Sequence, residues 1–421
     1  MAEGGTGSAG GAGGMASEAS SGTSCPEGYQ PWLTSRFSFP DGEVIGIADF
    51  PSMPWLKSGG LAIESGRLTG AGTATVSQGA VFPYGGSRMR YRARFTDSDQ
   101  QVTVAFDAET NGSRGVRLTL DAAGSLVLTE GTGEVARRDL APLESGIDWY
   151  VEGMFDGGSA EITLSEGNYG SERTASVTAT LSTDALEGSA KGKKLIAELA
   201  SAGGISPALD EVSFARCGVE APAYERVFVD TFERANSIAI GNAELPATST
   251  WRKGEYGIAT ITEGSLEIAG LSTVDIDQAA QLPLDGLRAR VVFSTKDLSS
   301  WLTFKFNTPS TERSATDLGF WAWGDAKGVY TSVFAGDKTP ELLHTGVKYS
   351  AGATFYAELN VDSGVGVLTL RTGSFSGPIV VVDRETGLEP TIGKLLLLET
   401  ANGFEERGTL IDEVIIEAYG K

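Results

Sequence analysis

Apolar and polar residues alternate along much of the chain in short runs that are separated by turn residues. An alternation with a period of two is typical of strands that cover a core with one face only. The clearest case is a hairpin pattern that occurs twice, over 149–167 and 355–373. Each copy begins with an aromatic pair, has Glu at its fourth place and turns at Asp-Gly or Asp-Ser-Gly. The pattern predicts an all-β protein built from antiparallel strands.

The rest of the chain repeats in the same order, which indicates a duplicated domain of roughly 190 residues. Further matched pairs keep this order, namely Phe39 with Phe232, Trp55 with Trp251, 63–70 with 261–270, 89–95 with 287–293, and 209–214 with 411–416. We therefore expect two domains at 25–217 and 224–421, joined by a short linker at 218–223. The segment 191–204 suits a helix by propensity, but its counterpart GKLLLLETANG favours a strand.

Residues 1–24 form a tract rich in Gly, Ala and Ser that is unable to bury a core, and we expect a disordered tether there. No run approaches the roughly 18 apolar residues of a membrane span. The chain does not open with a basic segment followed by an apolar one, so we recognise no export signal in it. Such tethers commonly hold a secreted domain away from an envelope, and we expect an extracellular or cell-surface location.

The two cysteines, Cys25 and Cys217, bracket the first expected domain. An even count at matching ends favours a disulfide over two free thiols and hence an oxidising compartment. Charge narrows the choice of partners further. The net charge of −22 argues against nucleic acid or an anionic membrane, because phosphate binding needs clustered Lys and Arg.

The stretch DWYVEGMFDGGSAEITLSEG at 148–167 resembles a hairpin of LamG-like, concanavalin A-like lectin/glucanase domains. The opening DTFERANSIAIG at 230–241 and the closing DEV strands resemble secreted bacterial members. The resemblance implies two tandem antiparallel jelly-roll β-sandwiches, in a superfamily of sugar binders, adhesion modules and glucanases. The ExDxxE strand of the glucanase branch is not found; the nearest run contains Asp275 and Asp277 and does not match.

The duplication shows which strand positions face the core, because side chains alternate between the two faces of a strand. Apolar residues align at the same parity in both copies, pairing Val102, Val104 and Phe106 with Leu302, Phe304 and Phe306, and Val116 and Leu118 with Phe320 and Ala322. The opposite parity is polar in the first copy, with Gln101, Thr103, Arg117 and Thr119. In the second copy it carries Trp301, Trp321 and Trp323.

An exposed tryptophan cluster usually marks a surface that contacts a partner, and sugar rings stack on tryptophan faces. We therefore expect Trp301, Trp321 and Trp323 to form a carbohydrate-binding face, with Lys305 and Asn307 supplying hydrogen bonds and Tyr330 as a further candidate. Two alternatives stay open. In the first, the tryptophans are buried under a loop or against the first domain. In the second, they form a contact between assembled molecules. A β-bulge would also switch the parity.

Other polar residues recur between the copies. Arginines 90, 92, 288 and 290 and the residues Tyr150, Glu152, Tyr356 and Glu358 are expected to form cross-strand ion pairs. Asp210 and Asp412 are candidates for calcium, although Asp at a strand start is ordinarily a turn or cap residue. The single histidine, His344, lacks partners for metal or triad chemistry and is expected in a strand. Asn111 begins a glycosylation triplet that is also a turn signal.

These observations favour a non-catalytic extracellular binding or adhesion protein for polysaccharide, without a cofactor. Two other classes remain. One is a subunit of a surface layer or filament, which would self-associate. The other is an atypical glycoside hydrolase acting through Glu152 or Glu358, but a paired-carboxylate mechanism needs two acids about 5–10 Å apart and only one recurs per domain.

Overall fold

The computed structural model describes residues 25, 27–77, 86–108, 115–156, 158–169, 171–182, 194–203, 205–218, 223–270, 272–278, 280–296, 300–311, 318–325, 327–335, 342–345, 347, 349–389, 393–400 and 408–419. Every regular element in these ranges is a β-strand, and every strand pair is antiparallel, so the predicted all-β class is confirmed. The tether predicted at 1–24, and 219–222 of the linker, lie outside the described residues.

The described residues of the first half of the chain contain fifteen strands. They are β1 (Tyr29–Ser35), β2 (Trp55–Gly59), β3 (Ala62–Glu64), β4 (Arg67–Thr69), β5 (Gly72–Ser77), β6 (Ser87–Arg94), β7 (Gln100–Ala108), β8 (Val116–Asp121), β9 (Ser125–Glu130), β10 (Gly133–Asp139), β11 (Asp148–Asp156), β12 (Ser159–Glu166), β13 (Arg173–Thr180), β14 (Lys194–Ser201) and β15 (Ala208–Cys217).

The part of the second half that the structure describes contains a further fifteen strands. They are β16 (Tyr224–Asp230), β17 (Arg252–Lys253), β18 (Ile258–Thr262), β19 (Ser265–Ala269), β20 (Ser272–Asp277), β21 (Leu287–Thr295), β22 (Trp301–Thr308), β23 (Leu318–Asp325), β24 (Gly328–Ala335), β25 (Leu342–Thr345), β26 (Thr354–Asp362), β27 (Val365–Thr372), β28 (Ile379–Thr386), β29 (Leu395–Thr400) and β30 (Gly408–Tyr419).

These strands form two pairs of sheets. Sheet A1 has the order β13-β12-β11-β6-β15-β4-β3, with β1 beside β15, and sheet B1 has the order β10-β9-β8-β7-β14-β5-β2. Sheet A2 has the order β18-β19-β30-β21-β26-β27-β28, with β16 beside β30, and sheet B2 has the order β17-β20-β29-β22-β23-β24-β25. Each sheet takes its strands from one half of the chain. On this ground we propose two domains with the bounds predicted above.

The core of each half lies between its A and B sheets, at the parity that the duplication predicts. Val102, Val104 and Phe106 of sheet B1 are fully buried, as are their counterparts in B2. Phe106 packs edge-on against Phe155 of sheet A1, with ring centroids 4.9 Å apart. Burial of such apolar surface, at about 25 cal/mol per Å², holds each pair of sheets together as a sandwich.

Both predicted hairpins are confirmed. In the first, Trp149 pairs with Glu166 and the register runs unbroken to Asp156 opposite Ser159. In the second, Phe355 pairs with Thr372 in the same way. The preference for a strand within 191–204 is also confirmed, because β14 lies between β5 and β7 in sheet B1. The hydrogen bonds of two neighbouring strands override its helical propensity.

The predicted disulfide is present and joins Cys25 to Cys217, with Cα atoms 5.5 Å apart. Strand β1 begins at Tyr29, which lies opposite Cys217 in the strand register. The bond therefore closes the first sandwich where its first and last strands meet.

One predicted equivalence is wrong by two residues. Phe37, rather than Phe39, matches Phe232, because both adopt positive φ angles, of 52° and 54°. Phe37 packs on Trp55 at 5.5 Å between centroids, and Phe232 packs on Trp251 at 5.7 Å. Trp55 follows Phe37 by 18 residues and Trp251 follows Phe232 by 19, so the two loops differ in length and no apolar pattern marks the change.

Candidate functional site

Four aromatic side chains form a continuous row on the outer face of sheet B2, on the three adjacent strands β22, β23 and β24. We call Trp301, Trp321, Trp323 and Tyr330 the aromatic ladder. The ring centroids of Trp301 and Trp321 are 6.1 Å apart, as are those of Trp321 and Trp323. Tyr330 stacks on Trp323 at 4.4 Å. All four side chains are partly exposed.

The strand register explains why these residues meet. Trp301 lies opposite Trp323 on the neighbouring strand, and Trp323 lies opposite Tyr330 on the next one. Their immediate neighbours along the strands, Leu302 and Ala322, point the other way and are buried in the core. Three strands spaced about 4.8 Å apart give the ladder a width of about 10 Å, which exceeds one sugar ring.

The ladder occupies one end of the outer face, and the residues further along the same parity are covered. Thr303 is 6% exposed and Lys305 is 5% exposed. The Lys305 ammonium lies 3.8 Å from the Glu399 carboxylate. Glu399 keeps part of its side chain in solvent and is the acidic group beside the ladder on β29.

The expectation that Asn307 supplies hydrogen bonds to a ligand is corrected by the structure. The register between β22 and β29 shifts between Lys305 and Thr308, and Asn307 has a φ of 53°. This irregularity turns the side chain inward, where its Oδ1 accepts from the Leu282 N–H and its Nδ2 donates to the Leu282 carbonyl, each at 2.8 Å. Asn307 is fully buried and is not part of the candidate site.

The other edge of the ladder carries a carboxylate that orients a hydroxyl. The Asp325 Oδ1 accepts the Lys327 N–H at 2.7 Å, which fixes the turn between β23 and β24. The Tyr330 hydroxyl donates to the Asp325 Oδ2 at 3.4 Å. The ladder is thus apolar on its faces, with hydrogen-bonding groups at its rim.

The first sandwich has no such ladder at the equivalent described positions of sheet B1. Thr119 and Arg117 stand where Trp323 and Trp321 stand in the second copy, and Thr119 Oγ1 hydrogen-bonds with Thr103 Oγ1 at 2.8 Å. The Arg117 guanidinium lies 3.9 Å from the Glu198 carboxylate. The two copies share a fold and differ in the chemistry of this face.

The cross-strand ion pairs predicted on the A sheets are confirmed. The Arg90 guanidinium pairs with the Glu152 carboxylate, and Arg290 pairs with Glu358 at 2.7 Å. Glycoside hydrolysis by paired acids requires a free carboxyl group beside a second one. Glu152 and Glu358 are each engaged by an arginine, so neither meets this requirement.

Asp210 lies inside β15 and belongs to a charge network, which corrects the expectation of a turn or cap residue. The register of β15 against β6 shifts between Leu209 and Glu211, so Asp210 occupies a bulge and reaches Arg67 at 3.3 Å. Asp148 joins the same network through Arg67 at 3.4 Å and also accepts the Arg94 Nε–H at 2.7 Å. Burial alone would raise the pKa of Asp148, but the Arg94 hydrogen bond and the charges of the neighbouring arginines outweigh it and lower this pKa.

Asp412 occupies the matching bulge of β30, where its Oδ1 accepts the Ser265 hydroxyl at 2.7 Å. Asp275 and Asp277 both pair with Arg252. Within the described residues, no three His, Cys, Asp or Glu side chains lie close enough together to hold a metal ion. His344 lies in strand β25, as expected, and Asn111 lies outside the described residues.

A cavity of about 300 Å³ between the two sandwiches has no signal in the sequence. The loop between β1 and β2, which we call the 36–54 loop, covers part of the outer face of sheet A2. The cavity is lined by Asp49 of the loop and by Arg290, Glu358 and Arg371 of the sheet. The Arg371 Nε is buried without a hydrogen-bond partner among the described residues, and burial lowers the pKa of this guanidinium.

The four sheets define an all-β protein of antiparallel sheets that form two pairs. No protein-family model matches the chain, and a search of curated proteins found no match.

Several solved structures are similar to part of the chain. The carbohydrate binding module CBM66 from Bacillus subtilis aligns at 14% identity and a TM-score of 0.29, over 38% of this chain and 94% of that chain. The VIP36 exoplasmic/lumenal domain in its Ca2+/Man2-bound form aligns at 11% identity and a TM-score of 0.34, over 45% and 91%. A glycosyl hydrolase family protein from Mycobacterium fortuitum aligns at 14% identity and a TM-score of 0.32, over 46% and 99%.

Within the part of the chain that the structure describes, no helix has the length and apolar character needed to cross a membrane.

Proposed function

We propose that this chain is a non-catalytic extracellular or cell-surface protein that binds polysaccharide through the aromatic ladder of the second sandwich. The observation that carries the proposal is the continuous row of partly exposed rings from Trp301 to Tyr330. The face of an indole is electron-rich, so it attracts the C–H groups of a sugar ring. Glu399 and Asp325 at the rim are placed to accept hydrogen bonds from sugar hydroxyls.

The tilt between the rings favours a particular kind of glycan. The planes of Trp301 and Trp321 meet at 47°, and those of Trp321 and Trp323 meet at 48°. A flat crystalline polysaccharide surface would contact only one of these rings at a time. A single chain that twists from one sugar to the next contacts them in succession, so we infer a soluble single-chain ligand.

Charge favours a neutral ligand. The protein carries a net charge of −22, and the rim of the ladder is acidic. A glycan rich in carboxylate or sulfate would be repelled over the distances at which electrostatic steering acts. A neutral glycan would not be repelled.

The disulfide between Cys25 and Cys217 supports the proposed location, since such bonds persist in oxidising compartments. The proposed tether at 1–24 would then hold the sandwiches away from the surface to which the chain is attached.

The proposal is tested by binding of neutral soluble polysaccharides to the full chain, measured by calorimetry and tryptophan fluorescence. The variant Trp321→Ala/Trp323→Ala removes the centre of the ladder. Truncating a single tryptophan at a binding hot spot costs about 2 kcal/mol or more, so we expect binding weakened at least about 30-fold.

Tyr256→Ala is the matched control, because it removes an aromatic ring that is 73% exposed and outside the ladder. It should bind like the original chain, and both variants should melt at the original temperature. Unchanged affinity in the ladder variant would overturn the proposal, as would an original chain that binds none of the neutral glycans.

A further inference from the structure

The two sandwiches touch through unlike surfaces. The 36–54 loop of the first sandwich lies on the outer face of sheet A2. The Tyr224 hydroxyl donates to the Ser52 carbonyl at 3.1 Å, and an Arg288 N–H donates to the Ser52 hydroxyl at 3.3 Å. Tyr419 of β30 is 5% exposed and belongs to the buried apolar cluster of the first sandwich. A loop of one copy thus docks on a sheet of the other.

The docking face of sheet A2 is present a second time, on sheet A1. Each face has an arginine over the tyrosine that opens the first strand, and a second arginine paired with glutamate beneath an aromatic ring. On A2 these groups are Arg288 over Tyr224 at 3.7 Å and Arg290 with Glu358 beneath Phe375 at 4.8 Å. On A1 they are Arg88 over Tyr29 at 4.2 Å and Arg90 with Glu152 beneath Tyr169 at 4.6 Å.

The docking loop is also present twice. The loop between β16 and β17, which we call the 231–251 loop, repeats the backbone of the 36–54 loop. In the first, the Arg36 N–H donates to the Asp49 carboxylate at 2.8 Å. In the second, the Thr231 N–H donates to the Glu244 carboxylate at 3.1 Å. Glu244 therefore stands where Asp49 stands in the loop that docks within the chain.

The second face and the second loop both expose groups that are covered in the first contact. Glu152 has 15% of its side chain exposed, against 5% for Glu358. Within the described residues no hydrogen bond is found for the Tyr29 hydroxyl, whereas its counterpart Tyr224 is bound to Ser52. In the 231–251 loop, Leu245 is 41% exposed, whereas its counterpart Phe50 is partly buried.

The charges of the second face and loop are complementary in the same sense as those of the first. Asp49 of the docked loop lies within the electrostatic reach of Arg371 on β27. In sheet A1 the arginine has moved to the neighbouring strand. Arg173 lies opposite Ser165 in the strand register of sheet A1. The equivalent positions of sheet A2 hold Ile379 and Arg371, in that order. The Arg173 guanidinium pairs with the Glu161 carboxylate at 2.6 Å, and its side chain remains 48% exposed toward an incoming carboxylate such as Glu244.

We propose that the outer face of sheet A1 binds the 231–251 loop of a second copy of this chain. The contact repeats between molecules the contact that the two sandwiches make within one molecule. Because a loop meets a sheet face, the interface is heterologous, and each bound pair of molecules leaves one loop and one face free. Such contacts build open head-to-tail chains rather than closed dimers.

The test is light scattering and sedimentation of the full chain over a wide concentration range at low salt. We expect the average mass to rise above 44.0 kDa with concentration and to fall again in high salt, which screens the charged part of the contact. The face variant is Arg88→Glu/Arg173→Glu, and the loop variant is Leu245→Asp. Each alone should remain at the mass of one chain.

The decisive measurement is made on a mixture of the two variants. The face variant keeps a working loop and the loop variant keeps a working face, so the mixture should form a 1:1 dimer and nothing larger. The control variant Arg138→Glu/Lys327→Glu makes two exposed charge reversals away from the contact and should assemble like the original chain. A chain that stays monomeric at every concentration overturns the proposal. So does a mixture of correctly folded variants that forms no dimer, or a face variant that still assembles.

Discussion

Removing the disulfide should destabilise the first sandwich and leave the second almost unchanged. The bond joins residues 192 apart in the sequence, so it closes a loop that contains essentially all of sheets A1 and B1. In the chain-entropy model a loop of this length restricts the unfolded chain by about 5 kcal/mol at 25 °C, and measured values are typically about 2–4 kcal/mol. We expect Cys25→Ala/Cys217→Ala to lose about 2–5 kcal/mol of unfolding free energy in the first sandwich.

The assay is hydrogen exchange of the full chain in increasing urea, read by mass spectrometry on peptides from each sandwich. With a urea slope of about 2 kcal/mol/M, the unfolding midpoint of β6 and β15 should fall by about 1–2.5 M. The equivalent strands β21 and β30 are the internal control, because the second sandwich contains no cysteine. Equal shifts in both sandwiches, or no shift in the first, would refute the assignment of the effect to loop closure.

Two further predictions concern charged side chains. Arg290→Ala leaves Glu358 without its main partner at a position where the glutamate is only 4% exposed, so we expect a loss of about 3 kcal/mol in urea denaturation. Asp148 has a lowered pKa in the folded chain, so it stabilises the fold above its unfolded pKa and this stabilisation is lost as the pH falls through the folded pKa. Asp148→Asn should therefore flatten the acid dependence of the first sandwich between about pH 5 and pH 2, measured by thermal melting.

The duplication supplies matched controls for both variants. Arg90→Ala breaks the equivalent pair where the two side chains are 27% and 15% exposed, and it should cost only about 1 kcal/mol. An equal or larger loss would contradict the role assigned to burial. For the acid dependence, melting of the second sandwich should keep its original pH profile in Asp148→Asn. An unchanged profile in the first sandwich would show that the charge network does not set it.

Comparison of the two copies predicts most of the fold because each copy checks the other. The hairpins at Trp149 and Phe355, the buried parity of Val104 and Phe304, and the ion pair of Arg290 all follow from positions where the copies agree. Agreement of this kind arises because the pleat alternates side chains with a fixed period of two.

The sequence does not predict features that depend on departures from that period. Asn307 points inward because an irregularity in β22 interrupts the alternation, and the turn-forming residues there, Asn307 and Pro309, do not show at which position the alternation breaks. Asp210 and Asp412 occupy bulges for which the same is true. The contact of the 36–54 loop with sheet A2 is equally hidden, because a repeated pattern carries no information on which copy covers which.

The position of the disulfide also determines how the protein carries a pulling force. Tension applied to the two ends of the chain passes through the covalent bond from Cys25 to Cys217, so the segment between them bears no load and is unable to extend. The second sandwich has no such shortcut. Its first and last residues in the sheet, Tyr224 and Tyr419, lie opposite each other on antiparallel neighbours. A force applied at that end breaks the hydrogen bonds between these two strands one after another. The second sandwich therefore unfolds under tension, whereas the first stays folded.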